Sequence, residues 1–182
     1  MRKFLFLLLF YLTCLVILLN QATAQNTAST NTSASVKLSQ EEKEERNKKI
    51  ALANVEAIRG QSIDAASKDF APDIVNYGNG QIPPQRGAAA VTASLRLFAA
   101  AFPIDKIENL SAVADGDMVM IWGKWTGSWR GDFMGQKATG KTFTKTDVEI
   151  LRFSDGGKIT EHHSVQSMNE IARQIGLKLP GQ

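Results

Sequence analysis

The chain has 182 residues, of which 43% are hydrophobic and 21% charged, and this balance is typical of a globular domain with its own core. With 21 Lys and Arg against 18 Asp and Glu, the formal net charge is only +3. So small an excess gives no reason to expect nucleic acid or an anionic surface as a partner.

The first 24 residues have the features of a secretory signal peptide. A short basic start precedes an apolar run at residues 4–19, and Ala22-Thr23-Ala24 supplies a small-x-small cleavage site. The run is shorter than the roughly 20 residues that span a bilayer, so we expect cleavage after Ala24. The mature protein is then exported and is either periplasmic or secreted. An uncleaved anchor is the alternative. Cleavage would remove Cys14, the only cysteine, which excludes internal disulfide bonds.

The segment at residues 25–37 is rich in Ser, Thr, Asn and Ala, and we predict a disordered tether there, followed by one domain at residues 38–182. Ser39 and Glu42 form a capping box that begins a helix, and Gly60 fits its end. A short helix at about 62–70, an extended segment at 74–77 and a Gly/Pro-rich loop at 78–84 are expected next. An Ala-rich helix then ends at Pro103.

From residue 104 the pattern changes from helices to strands. Asp115-Gly116 between two apolar runs is a strong hairpin signal. Strands are predicted at 104–114, 118–129, 142–153 and 158–166, with a loop at 130–140, a turn at 154–157 and a last short helix at 168–175. Helices followed by a run of antiparallel strands predict an α+β domain whose helices pack on one face of a curved sheet.

Four stretches carry a resemblance to a known family. They are LFAAAFP at 97–103, IENLSAVADGDMV at 107–119, WTGSWRGDFMGQKATGK at 125–141 and ILRFSDGGKITEHH at 150–163. In these the chain resembles the SnoaL-like polyketide cyclases, also named ester cyclases, of the NTF2-like superfamily. The resemblance implies a cone with a curved antiparallel sheet and helices on its concave face. It also implies aldol ring closure of polycyclic ketones with neither metal nor organic cofactor.

The chain departs from that family at the residue that performs the chemistry. Relatives commonly read Glu-His-Trp-Asp where this chain reads Glu161-His162-His163-Ser164, and a further aspartate is replaced by Ser167. Because a serine hydroxyl has no pKa suited to proton transfer near neutrality, the resemblance implies a cyclase-like pocket whose catalytic aspartate has been lost.

The last hairpin predicts which polar side chains share a face. A four-residue turn pairs Phe153 with Lys158 and sends His162 and His163 to opposite faces. We therefore expect no metal site at the two histidines. On the face of His162 the predicted opposed pairs are Glu149 with His162, Asp147 with Ser164, and Lys145 with Gln166.

Two interpretations of that face remain open. In one, His162 is the acid–base residue, oriented by Glu149 with Asp147 beside it. In the other, the Glu–His pair only satisfies the hydrogen bonding of two half-buried groups. Separately, a one-residue bulge at the turn would invert the faces and place His163 in the pocket instead of His162. The predicted ligand-pocket residues are Tyr77, Trp122, Trp125, Met134, Ser164 and Gln166, although aromatic and Met side chains on strands are more often core.

Three hypotheses about function follow. The first is binding of a small apolar molecule without chemistry, which the loss of the family aspartate favours. The second is an active, cofactor-independent cyclase or isomerase that uses His162 with Glu149 or Asp147. The third is an interaction domain that forms a homodimer through the open face of the sheet. None of them involves a membrane beyond the signal peptide.

Overall fold

The computed structural model describes residues 37–80, 82–165 and 168–179, and all of these except Lys37 belong to a compact unit that begins at Leu38. The predicted signal peptide and all but the last residue of the predicted tether lie outside these residues. The elements are α1 Gln40–Arg59, α2 Ile63–Ser67, β1 Phe70–Gly78, β2 Gln85–Arg86, α3 Ala88–Ala101, β3 Ile104–Asp115, β4 Met118–Ser128, β5 Thr142–Phe153, β6 Ile159–Ser164 and α4 Met168–Ile175. None of the described helices combines the length and the apolar character that a membrane crossing needs.

The capping box predicted for α1 is present. The backbone N–H of Glu42 donates to Ser39 Oγ at 3.3 Å, and the backbone N–H of Ser39 donates to Glu42 Oε2 at 2.8 Å. These two bonds satisfy donors that have no partner inside the helix. At the other end, the backbone N–H of Gly60 donates to the carbonyl oxygen of Glu56 at 2.9 Å. The capping residues thus fix both ends of the longest described helix.

The six strands form one curved, open sheet in the order β2-β1-β6-β5-β4-β3. Its pairs are antiparallel with one exception, since β1 runs parallel to β6. The sheet is therefore mixed, where the sequence predicts an antiparallel one. That pairing joins the first long strand to the last, and no short-range pattern indicates a contact between segments so far apart in the chain.

The register of the β5–β6 hairpin differs from the predicted one by two residues. The turn closes between Ser154 and Lys158, where the N–H of Ser154 donates to the carbonyl of Lys158 at 2.8 Å, so it is one residue wider. A second residue is added at Thr160, where the register shifts between Phe153↔Ile159 and Arg152↔Glu161. Two one-residue shifts restore the original face, because side chains alternate with a period of two.

As a result His162 pairs with Leu151, and Ser164 pairs with Glu149. The predicted pairs Glu149 with His162 and Asp147 with Ser164 are wrong as directly opposed partners, because the wider turn and the bulge move β6 along β5. These four side chains nevertheless share the inner face.

Two clusters of buried apolar residues lie between the sheet and the helices. One joins α1, α3 and the inner face of the central strands around Ile74 and Ile121, both 0% exposed. The other gathers Phe102, Trp129 and Phe143 under α4. Residues from both clusters line the space that lies between them.

Candidate functional site

A cavity of about 350 Å³ lies between the inner face of the sheet and the helices. This volume is within the range of small-molecule sites in proteins. Most of the wall is apolar; its members include Val55, Ile74, Val91, Leu95, Phe98, Ile121, Trp125, Phe143, Leu151, Ile159 and Ile171. The cavity can therefore remove a mostly apolar molecule from water.

His162 lies in the wall of this cavity with both ring nitrogens bonded. Its Nε2 is 2.7 Å from Glu149 Oε2, and its Nδ1 is 2.8 Å from Asn76 Oδ1. The backbone N–H of Gly78 also donates to Asn76 Oδ1, at 2.9 Å, which fixes that oxygen as an acceptor. Both neighbours of the ring are acceptors, so both hydrogen bonds form when each ring nitrogen carries a proton. The His162 ring is therefore held on both sides, by strand β5 and by strand β1.

Strand β5 supplies three charged residues at alternate positions, which share the inner face. Lys145 Nζ is 2.6 Å from Asp147 Oδ2 and 3.5 Å from Glu149 Oε1, and it lies 5.4 Å from the centre of the Trp125 ring. The exposed fraction of the side chain is 14% for Lys145, 0% for Asp147 and 20% for Glu149. We call the bonded set Asn76, His162, Glu149, Lys145, Asp147 and Ser164 the polar row.

The charged side chains of the polar row are paired with one another. Burial raises the pKa of Glu149, but the Lys145 ammonium and the His162 hydrogen bond outweigh it and lower this pKa to about 2. Burial also lowers the pKa of Lys145, while the two carboxylates outweigh it and raise this pKa. Glu149 is thus an anion and Lys145 a cation at neutral pH. The Lys145 ammonium lies between the two carboxylates, and the His162 ring bonds one of them.

Asp147 lies beneath this surface and does not line the cavity. It accepts hydrogen bonds from Lys145, from Ser164 Oγ at 2.9 Å and from the backbone N–H of Val148 at 2.8 Å. Its position therefore suits an anchor for neighbouring side chains, because no ligand in the cavity could touch its buried carboxylate.

The structure brings together five of the residues predicted for the site: Asp147, Glu149, His162, Ser164 and Trp125. Three predicted pocket residues lie elsewhere. The Tyr77 ring stacks on the His163 ring, with 4.6 Å between their centres, and does not line the cavity. Trp122 alternates with the inward residues of β4 and is 43% exposed, and Met134 is 52% exposed in the loop after β4. Gln166 lies outside the described residues.

Asn76 and Lys145 are members of the polar row that the sequence did not assign to the site. Lys145 was placed on the correct face, but a lysine on a strand usually points to solvent. Asn76 reaches His162 through the parallel β1–β6 pairing, where the two residues are partners. The role of Asn76 therefore depends on a long-range contact.

Residues 48–175 match the family model described as SnoaL-like polyketide cyclase. The chain belongs to the SnoaL-like polyketide cyclase family. The match begins within α1 and spans α2, α3, the six strands and all of α4, and it includes every member of the polar row. No curated protein matches the chain in sequence.

Solved structures of other proteins share this fold. A candidate polyketide cyclase from Xanthomonas campestris is 21% identical, with a TM-score of 0.66 over 73% of this chain and 98% of its own. A candidate hydroxylase from Streptomyces galilaeus is 29% identical, with a TM-score of 0.61 over 74% and 87%. An NTF2-like protein from Burkholderia xenovorans is 23% identical, with a TM-score of 0.59 over 72% and 97%. These likenesses support the NTF2-like fold.

Ser164 Oγ donates a hydrogen bond to the Asp147 carboxylate of the neighbouring strand at 2.9 Å. The nearest acid in the row thus comes from β5, and it is buried. Among the described residues there is also no group of three His, Cys, Asp or Glu side chains placed to hold a metal ion.

The outer face of the sheet carries exposed apolar side chains. Val113 is 63%, Met120 40% and Trp122 43% exposed, and Val113 pairs directly with Met120 across β3 and β4. This is the open face on which the expected homodimer would form, and the dimer stays a prediction.

Proposed function

We propose that the protein binds a small, mostly apolar and uncharged molecule in the cavity, without carrying out the acid–base chemistry of its family. The observation that carries the proposal is an apolar wall beside a polar row whose charged groups are paired with one another. Because each charged group of the row already has a partner, a charged ligand would gain no free counter-charge there, and burying its charge would be costly. A neutral molecule meets no such penalty.

Three features of the polar row favour binding over proton transfer. A general acid or base works best when its pKa lies near the working pH, whereas the pKa of Glu149 is about 2. Asp147 is buried and accepts three hydrogen bonds. Both nitrogens of His162 are already bonded, so a proton could pass to a ligand only after one of those bonds had opened.

Calorimetric titration with 2-naphthol, a two-ring probe, tests this function. Leu95→Trp should fill the cavity from α3 and weaken binding at least tenfold, because Leu95 lines it. Leu97→Trp is the matched control, since Leu97 is on the same helix but 72% exposed, and its affinity should equal that of the wild type. Equal affinities for all three proteins, or no binding to the wild type, would contradict the proposal.

The contact of 2.7 Å between His162 and Glu149 in the cavity favours a second candidate, an active cyclase or isomerase. Such an enzyme would speed removal of a proton from the carbon next to a carbonyl, with a solvent proton returned to the same carbon. Deuterium exchange of 2-tetralone followed by NMR measures this step. Acceleration by the wild type that is lost in both His162→Ala and Glu149→Gln, with folding kept, would establish the enzyme and displace the binding proposal.

Export remains part of the proposed function, on the basis of residues 1–24 alone. Mass determination of the N-terminus of protein recovered from outside the cytoplasm tests it, with Gln25 as the expected first residue.

A further inference from the structure

A further polar group lies at the cavity without a partner. Gln85, on the short strand β2, is one of the lining residues, and its Nε2 donates to Ser94 Oγ of α3 at 2.9 Å. Its Oε1 is buried, and it is the one buried side-chain nitrogen or oxygen atom in residues 37–80, 82–165 and 168–179 that has no hydrogen-bond partner. Buried acceptors are nearly always bonded in native proteins, so this atom needs an explanation.

The position of Gln85 places this oxygen beside the polar row. Gln85 is the direct cross-strand partner of Asn76, and Asn76 is in turn the partner of His162 on β6. Directly opposed residues share a face of the sheet, with Cβ atoms about 5 Å apart. The free acceptor therefore continues the line of inward polar groups by one strand.

No donor of the polar row bonds the Gln85 oxygen. Lys145 and Ser164, which carry donor groups in the row, donate to Asp147 instead. The Gln85 acceptor thus stays unpaired, and Gln85 belongs to the lining of a cavity whose wall is mostly apolar. A donor that enters this cavity with a ligand would complete the bond.

We propose that Gln85 is the specificity-determining residue of this cavity, with Oε1 accepting a hydrogen bond from a hydroxyl group of the ligand. The inference rests on the proposed binding function and narrows its ligand to an uncharged phenol or alcohol with an apolar body. An ether or a ketone of the same shape would leave the Gln85 oxygen unpaired and lose affinity, because an unmade buried hydrogen bond is costly.

The test compares two probes of nearly the same shape, 2-naphthol and 2-methoxynaphthalene, by calorimetric titration of the full chain. The naphthol donates a hydrogen bond and its methyl ether cannot. One additional hydrogen bond to a buried acceptor corresponds to about tenfold in affinity, so we expect the naphthol to bind the wild type about tenfold more tightly.

Two variants assign the preference to Gln85. Gln85→Met removes the acceptor and should bind both probes equally, while its melting temperature without ligand is no lower than that of the wild type. A residue that served only to hold β2 to α3 would lower the melting temperature and leave the preference unchanged. Gln85→Glu keeps an acceptor and should retain the preference for the naphthol.

The outcomes separate the two proposals. Binding of neither probe would overturn the proposed function itself. Equal binding of both probes by the wild type would leave the cavity as a binding site but overturn the role of Gln85. That result is expected if an ordered water donates to the Gln85 oxygen. Tighter binding of the methyl ether would overturn it as well. A naphthol preference that survives in Gln85→Met would place the ligand hydroxyl at another residue and refute the assignment.

Discussion

Asp147 combines complete burial with a full set of hydrogen bonds. Its carboxylate holds the Lys145 ammonium at 2.6 Å and the Ser164 hydroxyl at 2.9 Å. Lys145 in turn reaches Glu149, which bonds His162. A charge taken out of water is tolerated only when it is paired and hydrogen-bonded, so each member of this series depends on its neighbours.

We predict that Asp147→Asn lowers the free energy of unfolding by about 3 kcal/mol, because it leaves the Lys145 ammonium, 14% exposed, without its nearest counter-charge. Urea unfolding followed by tryptophan fluorescence measures the change. The double variant Asp147→Asn with Lys145→Met should recover part of the loss, since it removes the unpaired cation together with its partner.

The ion pair between Asp132 and Lys137 is the matched control for this prediction. Its side chains are 57% and 89% exposed, so solvent screens the attraction. Asp132→Asn should leave the unfolding curve essentially unchanged. A loss for Asp147→Asn no larger than that for Asp132→Asn would show that the buried pair is not a stabilising contact.

The β5–β6 hairpin is the element that decides which histidine faces the cavity. Its turn uses Gly157 at a φ of +78°, a conformation that side chains with a Cβ rarely adopt. This glycine lets the chain close between Ser154 and Lys158 and sets the first of the two register shifts. The turn therefore determines where His162 lies along β5.

We predict that Gly157→Ala lowers the free energy of unfolding by about 1–2 kcal/mol, the usual cost of a left-handed conformation for a residue with a Cβ. The new Cβ would also lie 2.9 Å from Arg46 Nε. Chemical unfolding measures the loss, and amide hydrogen exchange in β6 should rise with it.

The adjacent glycine gives the comparison for that experiment. Gly156 has no left-handed φ, and a Cβ added there would meet Ser154 Oγ at an ordinary 3.8 Å. Gly156→Ala should therefore be neutral or slightly stabilising, because alanine restricts the unfolded chain. Equal losses at the two positions would mean that backbone conformation is not what this turn demands.

Local signals predict the elements well and their pairing less well. The bounds of β5 and α4 agree with the predicted strand and helix because apolar periodicity, capping residues and the turn glycines act over a few residues. The shared face of Glu149 and His162 follows from alternation along two adjacent strands. Their exact register does not, because a bulge at Thr160 and the width of the turn depend on backbone geometry that the side-chain pattern leaves open.

The contacts that complete the site lie beyond such local signals. Asn76 and Gln85 join the inner face through β1, whose parallel partner is the last strand of the chain. Trp122 and Met134 were predicted to line the pocket but are exposed, because the residue type of an aromatic or Met side chain does not indicate which side of the sheet it faces. The sequence therefore predicted the wall formed by β5 and β6, while the wall formed by β1 and β2 emerged from the tertiary structure.

At the scale of the whole molecule, the polar row couples the stability of the domain to pH. The pKa of Glu149 is about 2 in the folded protein against 4.5 for an unperturbed glutamate. A lowered folded-state pKa means that the stabilisation is fully present above pH 4.5 and is lost as the pH falls towards 2. The difference corresponds to on the order of 3 kcal/mol, and it is shared with Lys145 and His162, which face Glu149.

We predict that the wild type loses this stabilisation between pH 4.5 and 2, whereas Glu149→Gln is less stable at neutral pH and shows a shallower decline over the same interval. Urea unfolding at a series of pH values measures both slopes. Glu42→Gln is the control, because the Glu42 side chain is exposed at the start of α1 and should leave most of the slope in place. Parallel pH profiles for wild type and Glu149→Gln would mean that the row does not govern acid stability. A shallower profile confined to Glu149→Gln would show that the paired ions at the cavity wall, rather than the carboxylates of the surface, set the acid limit of the fold.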